Sequence, residues 1–483
     1  MSSILSNVLV AADALGTYDQ ALQSVLNNVA NASTPGYASQ TQTLSAMPFD
    51  PGMGSYGGVK AGEIASSRDE YAEQAVRQQS ANLGAASQDV TSLTNLQTLF
   101  DVTGTTGIPY ALNNLFQSFS AWGQTPDDSN ARQLVIEQAT NVAGAFRAAA
   151  ASLSQQAQNT QQQIQQTVQQ VNDLVGQLQQ YNIQSMSGGQ NDAGLDAGIH
   201  STLEQLSQYV GFTAAKQTNG SWTVLLNGET PLLVGSQSYA INAGLTQPTN
   251  PPPTNANSPP EVRILDSTGT DVTSQVTTGQ LGSLLNTSNT VLASLLGNAY
   301  QAGDLNTLAQ QFADRVNQLL SSGNVSDGPP AQTGVPLFTY DTTNPTNVAQ
   351  TLAVDPSVTA SQLAAIDPGP PEVVNGIPLA LSQLATPQSS QDEINGQSYT
   401  EFYGGMAASV GSQLQTATNE QQVAQSLVSQ AQNLRQQESG VNLDQEAMTL
   451  LQYQRAYEAN SRLISVLSQI SEDAINIIGT TTA

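Results

Sequence analysis

At 483 residues the chain has room for roughly three domains of ~150 residues, and a net charge of −26, from 37 acidic against 11 basic side chains, excludes nucleic acid and anionic membrane as partners, because phosphate contacts need a Lys/Arg footprint that no segment supplies. The lack of cysteine excludes disulfides, thiolate chemistry and Cys-based metal sites, and a single histidine, His200, excludes any site with two His ligands. Charged residues are 10% and aromatics 5%, so Gln, Ser, Asn and Thr must cover the surface, and no stretch approaches the ~18 consecutive apolar residues of a membrane span.

In chain order, the first expected element is a helix running to the Thr34-Pro35 step. Read in sevens, Val8, Leu15, Leu22 and Val29 take one core position, and Ile4, Ala11, Tyr18 and Val25 the other. That seam has the period of a coiled coil. Pro35 stops the helix by pushing Thr34 out of the helical region. Pro35-Gly36 at the centre of a turn favours type II, with Gly36 at positive φ. Helices are expected next over 69–100 and 127–186, the second opened by Pro126-Asp127-Asp128. Within it Ile164, Val168, Val171, Val175 and Leu178 form another 3.5-period stripe.

Around Gly211 the pattern changes. Trp222, Val224 and Leu226 alternate between the turn signals Asn219-Gly220 and Asn227-Gly228, and Leu232 and Val234 follow as a next strand. Residues 246–260 are rich in Pro and Asn and read as an exposed loop, and 261–266 alternates as a strand. The helical pattern resumes at Leu281, with Leu308, Phe312, Val316 and Leu319 on one face of a helix over 304–320. A Pro/Gly-rich irregular segment, 323–395, carries a short strand at 336–340 and precedes a helix over 399–438. The last helix opens at Asn442, with Gln445 as capping-box partner. Its seam is Leu443, Ala447, Leu450, Tyr453, Tyr457, Ile464, Leu467 and Ile470, interrupted by Asn460, and a buried Asn fixes register in such pairs.

The expected fold is mainly α with a small β insert: terminal coiled-coil helices, a rod-like bundle of long helices, and an inserted all-β domain. Boundaries are drawn at 1–59 for the N-terminal coiled-coil segment and turn, 60–208 for the first part of the bundle, 209–280 for the β domain, 281–440 for the second part of the bundle, and 441–483 for the C-terminal coiled-coil helix. The two terminal seams are expected to pair with each other or with neighbouring copies. The alternative is that both are ordinary core helices of one bundle.

Little points to chemistry. Asp69-Glu70 and Asp127-Asp128 are adjacent carboxylates at helix starts, where acids suit the N-terminal dipole. His200, near a capping box read at Ser201 and Glu204, is expected to be a surface or packing residue. No Gly-rich phosphate loop, metal-ligand spacing or nucleophile elbow is present. No catalytic, cofactor-binding or metal residue is expected, and the chain is not expected to be an enzyme. Residues 1–10 carry neither the basic nor the apolar region of a Sec-type signal peptide.

Asn27-Asn28-Val29-Ala30-Asn31-Ala32-Ser33-Thr34-Pro35-Gly36-Tyr37 is similar to the N-terminal signature of flagellar rod, hook and hook-associated proteins. Gly440-Val441-Asn442-Leu443-Asp444-Gln445-Glu446-Ala447 and Tyr453-Gln454-Arg455-Ala456-Tyr457-Glu458-Ala459-Asn460 are similar to their C-terminal signature. Between them Gly57-Gly58-Val59, Arg68-Asp69-Glu70-Tyr71, Gln74, Arg77 and Leu112-Asn113-Asn114-Leu115-Phe116 resemble the flagellar hook-associated protein 1 family, over residues 1–180 and 281–483. The resemblance implies a structural adaptor that joins hook to filament and self-assembles into a helical tube. It implies the hook protein, hook-associated protein 3, a cytoplasmic export chaperone on the C-terminal seam and the flagellar type III export apparatus as partners. It also implies an extracellular place at the hook–filament junction, reached without a cleaved signal peptide, and a signature turn at Asn31, Thr34, Pro35, Gly36 and Tyr37. The alternatives are another axial protein, a hook or distal rod subunit, and an enzyme domain carried on an axial scaffold.

Overall fold

The computed structural model describes residues 2–480 apart from 51, 53, 54, 101–104, 190 and 250. Helix α1 (Ser2–Asn31) leads through the Pro35-Gly36 turn into an antiparallel hairpin of β1 (Gln40–Ala46) and β2 (Val59–Ser66). Helix α2 (Glu70–Gln97) starts where the Asp69 carboxylate accepts the Ala72 N–H at 2.8 Å. After α3 (Gly107–Gln124), the 56-residue α4 (Ser129–Gln184) is opened by Asp128, which accepts the Asn130 N–H. A π turn, Ser185–Gly189, ends α4, with Gly188 at φ 113°.

Helix α5 (Ala193–Tyr209) follows. Then come β3 (Phe212–Lys216), β4 (Trp222–Leu226), β5 (Thr230–Val234) and β6 (Gln237–Ser238), a four-stranded antiparallel meander in that order. A separate hairpin pairs β7 (Asn242–Thr246) with β8 (Glu261–Leu265). Helices α6 (Gly279–Asn286), α7 (Asp304–Ser322), α8 (Gly376–Gln383), α9 (Tyr399–Ser439) and α10 (Leu443–Thr480) complete the main elements. Ser398 and Glu401 form a reciprocal box at the start of α9: the serine oxygen accepts the Glu401 N–H and the glutamate accepts the Ser398 N–H. No helix among the described residues is long and apolar enough to cross a membrane.

The chain divides into two compact units. One comprises Met1–Ala81, Asp173–Tyr239 and Ala424–Ala483; the other comprises Asn82–Asn172 and Ala240–Val423. The second unit holds a continuous apolar core. Ile108, Leu112, Leu115, Phe119 and Trp122 recur at helical spacing along α3 and are all buried. Phe312 on α7 lies at the centre of an aromatic cluster, with ring centroids 6.2 Å from Phe116, 5.7 Å from Phe338 and 5.3 Å from Tyr399. The irregular segment feeds the same core through Leu337, Val348, Leu352 and Leu363.

One local device recurs in both units. Five helical asparagines among the described residues each grip the N–H and C=O of a single passing residue: Asn28 on Gln40, Asn172 on Ile241, Asn182 on Trp222, Asn289 on Val262 and Asn317 on Phe338. The carboxamide copies a strand neighbour, offering a donor and an acceptor at once. In a chain with few charges, these amides tie extended segments to helices while satisfying backbone groups.

The structure corrects three expectations here. Residues 209–280 do not form one β domain: β3–β6 belong to the first unit and β7–β8 to the second. The cause lies in their anchors. Asn182 bonds the carbonyls of Trp222 and Gly235 in the meander, whereas Asn172 and Asn289 hold Ile241 and Val262. The capping box read at Ser201 is also absent, because α5 begins eight residues earlier with Asp192 accepting the N–H groups of Gly194 and Leu195. The β1–β2 hairpin straddles the boundary drawn at residue 59: β1 lies in the segment expected to be coiled coil and turn, and β2, from Lys60 on, in the segment expected to be helical bundle.

Candidate functional site

The terminal helices pack on each other in antiparallel fashion. Asn28 meets Glu446, while Tyr18 and Tyr453 bring their ring centroids within 6.3 Å. On α1, Ala11 and Val25 are buried and Val8, Leu15, Tyr18 and Leu22 are half-buried, but Val29 is 44% exposed. The Ile4 side chain lies outside the described residues. The deepest line also takes in Ala14, Ala21 and Asn28, one residue away from the expected Leu15, Leu22 and Val29. It rotates because α1 serves two neighbours. Thr17 and Ser24 donate their hydroxyls to the backbone carbonyls of Val59 and Gln40, drawing the hairpin onto the face that bears Ala14 and Ala21.

On α10, Leu450, Tyr453, Asn460, Ile464 and Leu467 are half-buried, whereas Leu443, Ala447, Tyr457 and Ile470 face solvent. A straight helix drifts relative to strict heptads, so one seam cannot keep all eight expected residues against a single partner. What remains uncovered is apolar. Met448, Leu451, Leu463, Val466 and Ile470 recur at multiples of the three-four spacing, with Met448 66% and Val466 56% exposed. On α1, Leu5, Leu9, Leu26 and Val29 are exposed as well. On α10 the uncovered residues form two groups, Met448 with Leu451 and Leu463 with Val466 and Ile470, separated by the exposed Gln452, Arg455, Ala459 and Arg462.

Beneath the pair lies the signature turn. The Tyr37 N–H bonds to the Thr34 carbonyl at 3.1 Å with Gly36 at φ 74°, the geometry of a type II turn. Asn31 donates to the Asn27 carbonyl, and Thr34 donates to the Asn31 side chain. Tyr37 donates its hydroxyl to Asn28 at 2.9 Å, and its phenol is held above the usual range by burial and by the Glu446 carboxylate. Asn28, 1% exposed, is the hub: besides gripping Gln40, it donates to Glu446 at 2.8 Å. Asn28→Asp is expected to lower stability by more than about 2 kcal/mol, since it removes the donor to a buried carbonyl and sets a second carboxylate beside Glu446. Urea denaturation of the variant against the parent checks this.

The joint is stitched further by the end of α9. The Ser439 carbonyl accepts the Ser39 N–H and the Ser67 hydroxyl, and its own hydroxyl accepts the Asp69 N–H. Arg68 donates to the Gly36 carbonyl at 2.6 Å, to Glu73 at 2.5 Å and to Asp196. Arg435 on α9 pairs with Glu204 at 2.6 Å and with Glu73 at 3.4 Å. Arg77 and Lys216 stand 3.9 Å from Glu70 and Asp196. Four of the chain's 11 basic residues thus meet four carboxylates in one place.

His200 lies inside this cluster with its side chain fully buried, edge-on to Trp222 at 5.1 Å between ring centroids. Burial, together with Arg68, Arg77, Lys216 and Arg435, holds its pKa well below the usual imidazole value. It is therefore a packing residue and not a surface one. In the sequence, Arg68 and Arg77 stand out only through the resemblance and Glu70 also as a helix-start carboxylate, while nothing singles out Glu73, Asp196, Lys216 or Arg435. The scarcity of basic residues was the available signal: in such a chain, an Arg-rich segment facing a lone His has few other partners.

Comparison with known proteins agrees with this architecture. Residues 93–338 match the family described as the flagellar hook-associated protein FlgK helical domain, and residues 432–477 match the flagellar basal body rod FlgEFG protein C-terminal family. Flagellar hook-associated protein 1 of Bacillus subtilis is 24% identical over 99% of this chain and 99% of its own length. Its Escherichia coli counterpart is 21% identical over 99% of this chain and 100% of its own length. The solved structure of the flagellar hook junction protein FlgK from Burkholderia pseudomallei superposes with a TM-score of 0.63 at 17% identity, covering 75% of this chain and 99% of that one. Since the helical-domain match alone spans more than half of the sequence, the chain belongs to the flagellar hook-associated protein FlgK family.

Proposed function

We propose that this chain builds the hook–filament junction by packing the uncovered apolar stripes of its terminal helices against neighbouring axial subunits. As a hook-associated protein it is a structural component of the bacterial flagellum, with its place at the junction of hook and filament. The observation that carries the assembly route is the stripe Met448, Leu451, Leu463, Val466 and Ile470 on α10, which the intramolecular pair leaves open. Head-to-tail contacts between copies that do not close into a ring build a helical tube.

In this reading the hook protein and hook-associated protein 3 lie on the two sides of the junction. A cytoplasmic export chaperone covers the C-terminal seam before the chain leaves through the flagellar type III export apparatus for its extracellular position. No catalytic step enters. The match of residues 432–477 to a rod-protein C-terminal family supports a terminal helix adapted to axial packing.

The test is genetic. Cells lacking the gene are expected to make hooks without filaments, and the parent sequence to restore filaments. Leu463→Glu with Val466→Glu is expected to leave the hooks bare while the protein is still made and helical. Filaments restored by that double variant would refute the assembly route, and loss of the hook itself in the deletion would favour a hook or distal rod role.

A further inference from the structure

We propose that the pocket around His200 is an acid-sensitive latch, in which uptake of one proton by His200 releases α2, α5 and α9 from one another and loosens the turn that carries α1. This stands apart from the assembly reading and concerns the first unit alone.

The geometry carries it. The groups facing His200 are Arg68, Glu70, Glu73 and Arg77 at the start of α2, Asp196 and Glu204 on α5, Lys216 on β3 and Arg435 on α9, with Trp222 of β4 against the ring. Glu70, Asp196 and Glu73 approach the ring nitrogens at 3.6–3.9 Å, too far for hydrogen bonds. Each is already matched: Glu73 by Arg68 and Arg435, Asp196 by Arg68 and Lys216, Glu70 by Arg77. Four positive and four negative charges balance only while the imidazole is neutral. Both of its nitrogens are buried without a hydrogen-bond partner, so an imidazolium would bring a fifth positive charge with no acceptor within hydrogen-bond distance of its protons.

The direction of the pH effect follows. The unfolded chain protonates its histidine near pH ~6.5, whereas the folded chain holds it neutral to lower pH. The stability His200 contributes is complete above that value and is lost as the pH falls below it. Glu70, whose pKa burial raises, binds its proton more readily in the folded chain and offsets part of the loss at lower pH. Arg68 links the pocket to the turn, because the guanidinium that neutralises Glu73 and Asp196 also holds the Gly36 carbonyl.

Because the chain has one histidine and two tryptophans, the full-length protein can be followed by NMR through its imidazole carbon-bound protons and its two indole N–H signals, with far-UV circular dichroism for helicity. The imidazole signals are expected to stay at neutral positions until the Trp222 indole signal collapses, and then to move with it. His200→Phe keeps a ring against Trp222 and is expected to lower the acid midpoint by on the order of half a pH unit or more. His200→Gln, neutral at every pH, is expected to shift it in the same direction and decides the matter if the phenylalanine variant does not fold. An imidazole titrating freely while helicity and both indole signals stay unchanged would overturn the latch, as would a foldable variant that melts at the parent's pH.

Discussion

Gly36→Ala is expected to lower the stability of the first unit by roughly 3–5 kcal/mol, adding the cost of a left-handed alanine to that of forced repacking. Gly36 adopts φ 74°, and a Cβ there would stand 2.4 Å from the Ala197 carbonyl and 2.9 Å from the Ser201 nitrogen, both backbone atoms of α5. Neither can swing aside as a side-chain tip would, so α5 must retreat or the turn must open. Either movement pulls the Gly36 carbonyl from Arg68. Gly16→Ala is the informative control: nothing lies within 4 Å of its Cβ, and it sits inside α1. Alanine there is expected to stabilise the chain by about 0.5–1 kcal/mol. Urea denaturation followed at Trp222 compares the two, and equal midpoints would remove the turn from the account.

Arg68→Met is expected to cost about 3–5 kcal/mol, the usual range for removing one partner of a buried ion pair. The Arg68 and Glu73 side chains are 6% and 3% exposed, and the loss leaves Glu73 with only the 3.4 Å contact of Arg435. Asp196 keeps Lys216 at 3.9 Å. Methionine preserves the packing of the aliphatic stem, so the measured loss reports charge and hydrogen bonding. Adding Glu73→Gln is expected to recover part of it, because the stranded charge is removed with its partner. A double variant as unstable as the sum of the singles would mean that the two residues do not act together.

How far the chain could be read from its sequence depended on whether partners were near or distant along it. Helices α1, α4 and α10 were legible because apolar residues recur at helical spacing, with sharp stops such as Pro35 and starts such as Asn442, and α2 because 69–100 is largely free of Gly and Pro. The Pro35-Gly36 turn was legible from two residues whose φ preferences allow little else. The face of α1 was read one residue off at alternate positions, because large Leu15 and Leu22 stand beside small Ala14 and Ala21. Size favours the former in a heptad reading, whereas the approaching hairpin selects the latter. That hairpin itself was hidden: β1 reads Gln-Thr-Gln-Thr-Leu-Ser-Ala, and its buried positions are Gln40 and Gln42, so no apolar alternation announces it.

The joint was hidden for a different reason. Asn28 is polar at a buried position, and its partner Glu446 is 418 residues away. The charge cluster is assembled from α2, α5, β3 and α9, each of whose segments carries one to four of its members and is unremarkable alone. The division of residues 209–280 between two units was likewise set by asparagines on α4 and on the π-helical turn Thr287–Leu292, not by anything within the strands.

The central claim is that the open stripe on α10 becomes covered when the chain joins other axial subunits. Oxidative footprinting of Met448 reads this directly, because thioether oxidation follows exposure. Met406, 5% exposed, serves as the internal slow reference. In the isolated chain Met448 is expected to oxidise quickly, and after addition to purified hook ends its rate is expected to fall by about tenfold or more relative to that reference. Hook-bound protein whose Met448 oxidises as fast as in the isolated chain would contradict the account.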